Sequence, residues 1–204
     1  MAAPLFAILL GAIGWTLLEY LLHRFVFHGR SARSLGAREH RRHHALVDYF
    51  APWWQKALAA LATTAIMLPL AVLVAGLEIG AAFTLGFILM YLLYEVLHRR
   101  AHTHPPRSRY GRWRRKNHFA HHFVDPRLAQ GVTTPFWDRV FGTRLFIDRV
   151  RVPRRLAMPW LVDMEGEVRA AYVSDYELVG SRKRDDHTRR SDTEAAMANE
   201  RPPV

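Results

Sequence analysis

Three blocks of almost unbroken apolar residues interrupt an otherwise polar chain. The first, from Leu5 to Leu22, reads LFAILLGAIGWTLLEYLL, with Glu19 as its only charge. The second runs from Ala57 to Leu77 and the third from Ile79 to Leu97, with Glu78 between them and Gly76 and Gly80 close by. A helix that crosses a bilayer needs roughly 17–25 such residues. The pattern therefore predicts helices over 5–22, 57–77 and 79–97. The last two are joined so tightly that they must be antiparallel neighbours. A soluble protein with three such blocks would have no polar face left for water, which argues against a buried soluble hairpin. No positive charge precedes the first block and no small-residue cleavage site stands before His23, so it reads as a retained helix rather than a signal peptide. The predicted fold is all-α: an integral membrane helical bundle of about three spans, capped by polar helices.

The pattern changes again near Asp163. The segment DMEGEVRAAYVSDYELVGSRKRDDHTRRSDTEAAMANERPPV is polar, of mixed charge and poor in large apolar residues. The expected organisation is a membrane domain over 1–162 and a polar C-terminal tail over 163–204. Asp163–Leu178 has enough apolar residues for one short packed element, and disorder is expected beyond Gly180. The lone His187 there is not expected to bind metal.

Charge fixes the expected orientation. Lysine and arginine outnumber acids by 29 − 18 = 11. Basic residues crowd the segment His23–Lys56 (Arg24, Arg30, Arg33, Arg38, Arg41, Arg42, Lys56) and the segment after Leu97, where RWRRK spans Arg112–Lys116. The Gly76–Gly80 turn has none. The positive-inside rule then puts both basic segments, the C-terminus included, in the cytoplasm. The excess charge has a membrane explanation, and one Trp113 in a basic run is weak support for nucleic acid. The mean hydropathy of −0.09 averages two unlike halves and hides them. There is no cysteine. Disulfides, zinc–thiolate sites, a cysteine nucleophile and thiolate-held iron–sulfur clusters are excluded.

Histidine carries the candidate chemistry. There are twelve, as many as glycine. Ten fall into four groups at the ends of the apolar blocks: His23 and His28; His40, His43 and His44; His98 and His102; and His118, His121 and His122. On a helix, positions i, i+3 and i+4 share a face, so each HxxHH triplet converges and His98 and His102 form an i, i+4 pair. His23 and His28 stand five apart, roughly 140° out of phase. Both reach one site only if the helix ends between them, as the nearby Gly29 suggests. Ten imidazoles gathered at one membrane face cannot all be charged cheaply, and bound metal would keep them neutral. Without thiolates the candidates are Fe, Zn, Cu or Ni. Ten ligands exceed one ion and suit two. The Glu-x-x-His pairs of soluble di-iron bundles are absent. His104, before Pro105-Pro106, is read as solvent-facing or as a partner of a ligand. Glu19, Glu39, Asp48, Glu95 and Asp125 flank the groups and could orient the rings, although an ion pair with a neighbouring arginine is the simpler expectation.

The order HxxxxH, HxxHH, apolar hairpin, HxxxH, HxxHH resembles the fatty acid hydroxylase / sterol desaturase superfamily of integral membrane oxygenases. So does the segment Gly131–Thr143, GVTTPFWDRVFGT, which follows the last triplet. The likeness covers about His23 to Thr143 and is nearest to the fatty acid/ceramide 2-hydroxylase branch. Carotenoid hydroxylases share the histidine pattern, but the WDxxFGT segment speaks against them.

The resemblance implies a multi-pass protein of a bacterial inner membrane or the ER membrane. It implies two metal ions (iron when active, zinc as an alternative on isolation) on His23, His28, His40, His43, His44, His98, His102, His118, His121 and His122. These would activate O2 to hydroxylate a C–H bond of a lipid (fatty acyl, ceramide or sterol-like). Larger relatives have a fourth span, and some carry a cytochrome b5-like domain. Neither is visible here, so electrons are expected from a separate cytochrome b5, ferredoxin or reductase. Trp53, Trp54, Trp113, Phe136 and Trp137 are read as an aromatic belt, with lining of the lipid entrance as the alternative. A lipid desaturase or carotenoid hydroxylase on the same site is the second reading. A membrane metal store or transporter is the third, although a transporter would place its ligands at the bilayer midplane.

Overall fold

The computed structural model describes residues 2–29 and 33–181. Five helices and two short strands build it: α1 (Ala2–Leu21), running into a widened turn at Leu22–Phe27; α2 (Leu35–Ala45); α3 (Trp53–Thr103); α4 (Arg109–Phe123); α5 (Phe136–Val140); β1 (Val150–Pro153); and β2 (Tyr176–Val179). Helix starts follow ordinary capping chemistry. Ser34 and Ser108 accept from the amides of Ala37 and Gly111 at 3.1 and 3.0 Å, each closing the first turn of its helix.

Two helices, Ala2–Phe27 and Trp53–Thr103, are long and apolar enough to cross a membrane. The second is a hairpin. Gly76 leaves helical geometry at φ 78°, ψ 170°, a region open almost only to glycine. In a straight helix Ala71 and Gly80 would lie about 13 Å apart. Here a Cβ on Gly80 would come within 2.5 Å of the Ala71 carbonyl carbon. At the other end the Tyr91 hydroxyl donates to the Lys56 carbonyl at 3.1 Å, and Lys56 pairs with Glu95. The two predicted helices are therefore two arms, residues 53–75 and 77–103, that turn at Gly76 alone and run past their predicted outer ends.

α1 packs chiefly against the second arm. Trp15 makes an edge contact with Phe87 (5.4 Å between ring centroids) and lies against Tyr91 (4.8 Å). The outward surface stays apolar: Leu73, Val74 and Leu77 are 84%, 87% and 74% exposed. A bundle that turns its leucines outward and its small and aromatic residues inward is made for lipid rather than water.

The cap has its own core. Phe119 and Ala120 of α4 pack with Val150, Val152, Met158, Trp160, Leu161 and Tyr176. The Trp160 indole donates to the Ala101 carbonyl at 3.0 Å and ties this core to the end of α3. The RWRRK run is absorbed here. Arg115 donates to the carbonyls of Arg100, His104 and Gly111, satisfying the exposed end of α3, while Arg112 and Lys116 reach Asp175.

Two expectations change. The fold is mostly helical, not all-α, because β1 and β2 pair in parallel, with Val150 opposite Tyr176. Each strand has four residues, too short for alternation to show in sequence. The segment after Asp163 also contributes to the cap, with Tyr176 only 2% exposed. β2 begins inside the Asp163–Leu178 stretch and ends one residue past it. The predicted disorder beyond Gly180, and His187, fall on 182–204, outside the described residues.

Candidate metal centre

Among the described residues, ten histidines form two groups of five. In the first, one ring nitrogen from each of His23, His28, His40, His44 and His121 lies within 4.8 Å of all the others. The second, with the same spread, holds His43, His98, His102, His118 and His122. The rings of His44 and His122 stack at 4.0 Å and join the two groups.

Helical geometry explains the sorting. Four steps of about 100° overshoot a turn by roughly 40°, and three fall short by roughly 60°. So the i, i+4 pairs His40/His44 and His118/His122 each stay together. The i+3 members, His43 and His121, cross to the other group. Each triplet does share a face, as its spacing predicts, but its members divide between the two groups.

His23 and His28 meet by a different device from the one expected. The helix does not end between them. It widens over Leu22–Phe27 into i→i+5 bonding, and the His28 amide donates to the His23 carbonyl at 3.1 Å. A five-residue turn brings residues five apart onto one face.

Proton positions show what the groups can hold. The Nδ1 atoms of His23, His121 and His43 face the carbonyls of Gln130 (2.5 Å), Leu128 (2.9 Å) and Tyr49 (2.7 Å). A carbonyl only accepts, so each Nδ1 carries the proton and each Nε2 presents a lone pair inward. The His40 Nε2 then has the Nε2 atoms of His23, His28 and His44 at 3.0, 2.8 and 3.0 Å. One nitrogen cannot satisfy three such neighbours with one proton or one lone pair. In the second group His43 and His98 stand 3.0 Å apart, His102 and His118 2.8 Å apart, and both nitrogens of His122 are buried without a partner. Nitrogens about 2.1 Å from a common ion stand roughly 3.0 Å apart when adjacent. Each group therefore fits one borderline transition-metal ion.

Burial keeps these rings neutral. It pushes the His43 imidazole down to about 4 and holds those of His118 and His121 well below the usual range. A ring that is neutral when folded and takes up a proton when unfolded supports the fold fully above about pH 6.5, and that support is lost as the pH falls toward the folded value. Metal-stripped protein is therefore expected to lose stability from pH 7.5 to 5.5, by up to about 1.4 kcal/mol for each fully buried ring, and to change little from 7.5 to 8.5. Thermal melts in detergent at the three pH values test this.

The flanking carboxylates do not reach the rings. Asp125 pairs with Arg127, Glu95 with Lys56, and Glu39 accepts from Tyr49. Asp48 is exposed, as is His104, which contacts Thr103. Glu19 is buried and accepts from the amides of Val132 and Thr133 at 2.7 and 3.0 Å. Sequence reasoning missed the carbonyls of Leu128, Gln130 and Tyr49, since any residue supplies one. It also missed Asp138, whose place in the WDxxFGT segment was the only available signal.

Beside the histidines lies a cavity of about 320 Å³ between α1 and the arms of α3. His40, His43 and His98 line its cap end, with Glu39, Lys56 and Glu95. Trp15, Ala60, Phe87 and Ile88 line the remainder.

Comparison with known proteins bears on the whole arrangement. Residues 8–143 match the family model described as fatty acid hydroxylase. A dihydroceramide fatty acyl 2-hydroxylase of Arabidopsis thaliana is 31% identical over 137 residues, covering 65% of this chain and 58% of that one. A ceramide very long chain fatty acid hydroxylase of Schizosaccharomyces pombe is 33% identical, covering 66% and 41%. A solved structure of full-length scs7p, with only the hydroxylase domain visible, superposes with a TM-score of 0.54 at 30% identity, covering 70% of this chain and 57% of that one. This chain thus spans between about two fifths and three fifths of the length of these relatives.

Proposed function

Because the chain belongs to the fatty acid hydroxylase family, we propose that it is a membrane-embedded lipid hydroxylase. Its two histidine groups would hold two metal ions, iron in the active form. The observation that carries the reading is the junction of the two five-histidine groups with a cavity whose far wall is apolar. Bound ions would supply activation of O2 and cleavage of a C–H bond. In the balanced reaction one oxygen atom enters the lipid and the other leaves as water, with two electrons and two protons consumed. The electrons come from a cytochrome b5, ferredoxin or reductase.

The chain's own residues supply binding and exclusion. Trp15, Phe87 and Ile88 offer an acyl chain an apolar wall. Of the charged lining residues, Glu39, Lys56 and Glu95 sit at the histidine end, and Glu19 joins the lining from α1. A lipid lying with its polar head among them presents its first carbons to the histidines. This favours oxidation near the head of a fatty acyl or ceramide chain over oxidation far along it. The Nδ1–carbonyl bonds of His23, His43 and His121 hold three rings in one tautomer. α1 and the two arms of α3 are three spans, with the histidine cap on the basic, cytoplasmic side.

The test is a comparison of lipid extracts by mass spectrometry from a host grown under 18-O2 with the intact chain, without it, and with the His121→Ala variant. The expected result is a lipid that gains one labelled oxygen only with the intact chain. A lipid that loses two hydrogens without label would replace hydroxylation with desaturation. Unchanged lipids, in a host co-expressing a cytochrome b5 and its reductase, would leave a metal-binding protein as the better account.

A further inference from the structure

The segment 129–134 has no regular structure, yet it supplies the carbonyl that orients His23, next to the Leu128 carbonyl that orients His121. Nothing repetitive holds it. Ala129 is the one described non-glycine residue with a left-handed φ, 53°. A Cβ on Gly131 would lie 2.1 Å from the Thr134 carbonyl oxygen, so the turn is also too tight for a side chain there.

Two buried carboxylates take up four successive amides of this turn. Asp138, 1% exposed, accepts from the amides of Gln130 (2.8 Å) and Gly131 (2.9 Å). Glu19, 4% exposed, accepts from those of Val132 (2.7 Å) and Thr133 (3.0 Å) and from the Thr133 hydroxyl. One carboxylate comes from α1 and the other from α5, so the turn is gripped from both sides. Asp138 is itself fixed. The Thr143 hydroxyl donates to it at 2.7 Å and can then only accept from the Tyr20 hydroxyl at 2.8 Å, which accepts from Arg24 at 2.8 Å. Tyr20 and Arg24 flank His23 in the chain.

We propose that Glu19 and Asp138 form a carboxylate clamp that positions the 128–133 turn, and through its carbonyls holds His23 and His121 as ligands of the first metal group. They are positioning residues: their oxygens are taken up by the amides of the turn and by the Thr133 and Thr143 hydroxyls, and they act on the first metal group through that turn. The inference rests on the two-metal reading for its effect on metal. The second group lies outside the clamp: His43 is oriented by Tyr49, and His118 and His122 have no Nδ1 partner. The clamp therefore makes the two centres unequal.

The test uses the full chain in detergent, with Asp138→Asn and the milder Glu19→Gln. An amide nitrogen cannot accept, so Asp138→Asn must set a donor against a backbone amide, whereas Glu19→Gln is milder because its nitrogen can face the Thr133 hydroxyl and reverse only that bond. Two measurements are made. In the first, metal per chain is counted against a competing chelator. One of the two ions should bind about 10–100-fold more weakly, with the other unchanged. Asp175→Asn, which perturbs the cap through Arg112 and Lys116 without touching the turn, should keep both. The second is hydrogen exchange of metal-free protein. Exchange over 128–134 should rise at least tenfold, while peptides covering 98–102 and 115–122 stay protected. Two ions held as tightly as before, or both weakened together as with a general loss of fold, would overturn the clamp. So would unchanged exchange at 128–134. Wild-type protein that binds no pair of ions would refute the two-metal reading, and the exchange result would still decide the clamp.

Discussion

The His40→Ala variant is expected to lose one metal ion per chain and to hydroxylate lipid more than about a hundredfold more slowly, since loss of a ligand must exceed the 10–100-fold effect of losing a ligand's hydrogen-bond partner. His40 stands nearest the middle of its group, with three other Nε2 atoms within 3.0 Å. Its removal leaves the lone pairs of His23 and His121 facing a gap, because their Nδ1 protons are committed to backbone carbonyls and neither ring can reverse its tautomer without breaking that bond. The fold should survive. His40 projects from the polar α2, whose ends are held independently by the Ser34 cap and the Leu46 amide bonded to Arg42. His104→Ala is the matched control. It also removes an imidazole near α4, but an exposed one, and both metal content and turnover should stay within twofold of wild type. Metal analysis beside the lipid assay checks both variants. Equal loss in the two would mean that histidine content, rather than the assembled groups, sets activity.

What the sequence made legible was whatever repeats over short distances. The apolar blocks announced their helices because each is long and unbroken, and the HxxHH triplets announced a shared face because helix geometry is local. The sorting of those triplets between two centres was not legible. His43 goes to the group of His98 and His102 only because α2 lies across the end of α3. The widened turn at Leu22–Phe27 left no composition signal either, and an ordinary helix end explained the five-residue spacing as well. The least legible parts were the longest in range. Glu19 meets Val132 across 113 positions, and Trp160 meets Ala101 across 59. A lone acidic residue in an apolar run signals a buried acceptor, but not which amides it will meet.

Gly86→Val should be more damaging than its distance from the histidines suggests. α1 and the second arm of α3 approach backbone to backbone. A Cβ on Gly86 would lie 2.0 Å from the Ile8 carbonyl oxygen, and one on Gly11 would lie 2.0 Å from that of Phe83. In each case the obstacle is backbone, so no change of rotamer relieves it. Small residues at such a crossing are how apolar helices associate where lipid offers no hydrophobic drive. A valine forces the helices apart at a cost of about 3 kcal/mol, the upper end for overpacking. α1 carries Glu19 and His23 at its far end, so its displacement should loosen the first metal group while leaving the second, which takes no ligand from α1. Gly76→Ala supplies the contrast. At φ 78° and ψ 170° an alanine is strained by about 1–3 kcal/mol. Yet nothing lies within 4 Å of the added Cβ, and the turn is at the end of the bundle away from the cap. That variant should melt earlier and still hold two ions. If Gly86→Val melts early but keeps both, the close approach of α1 serves stability alone, and the metal groups do not depend on where that helix docks.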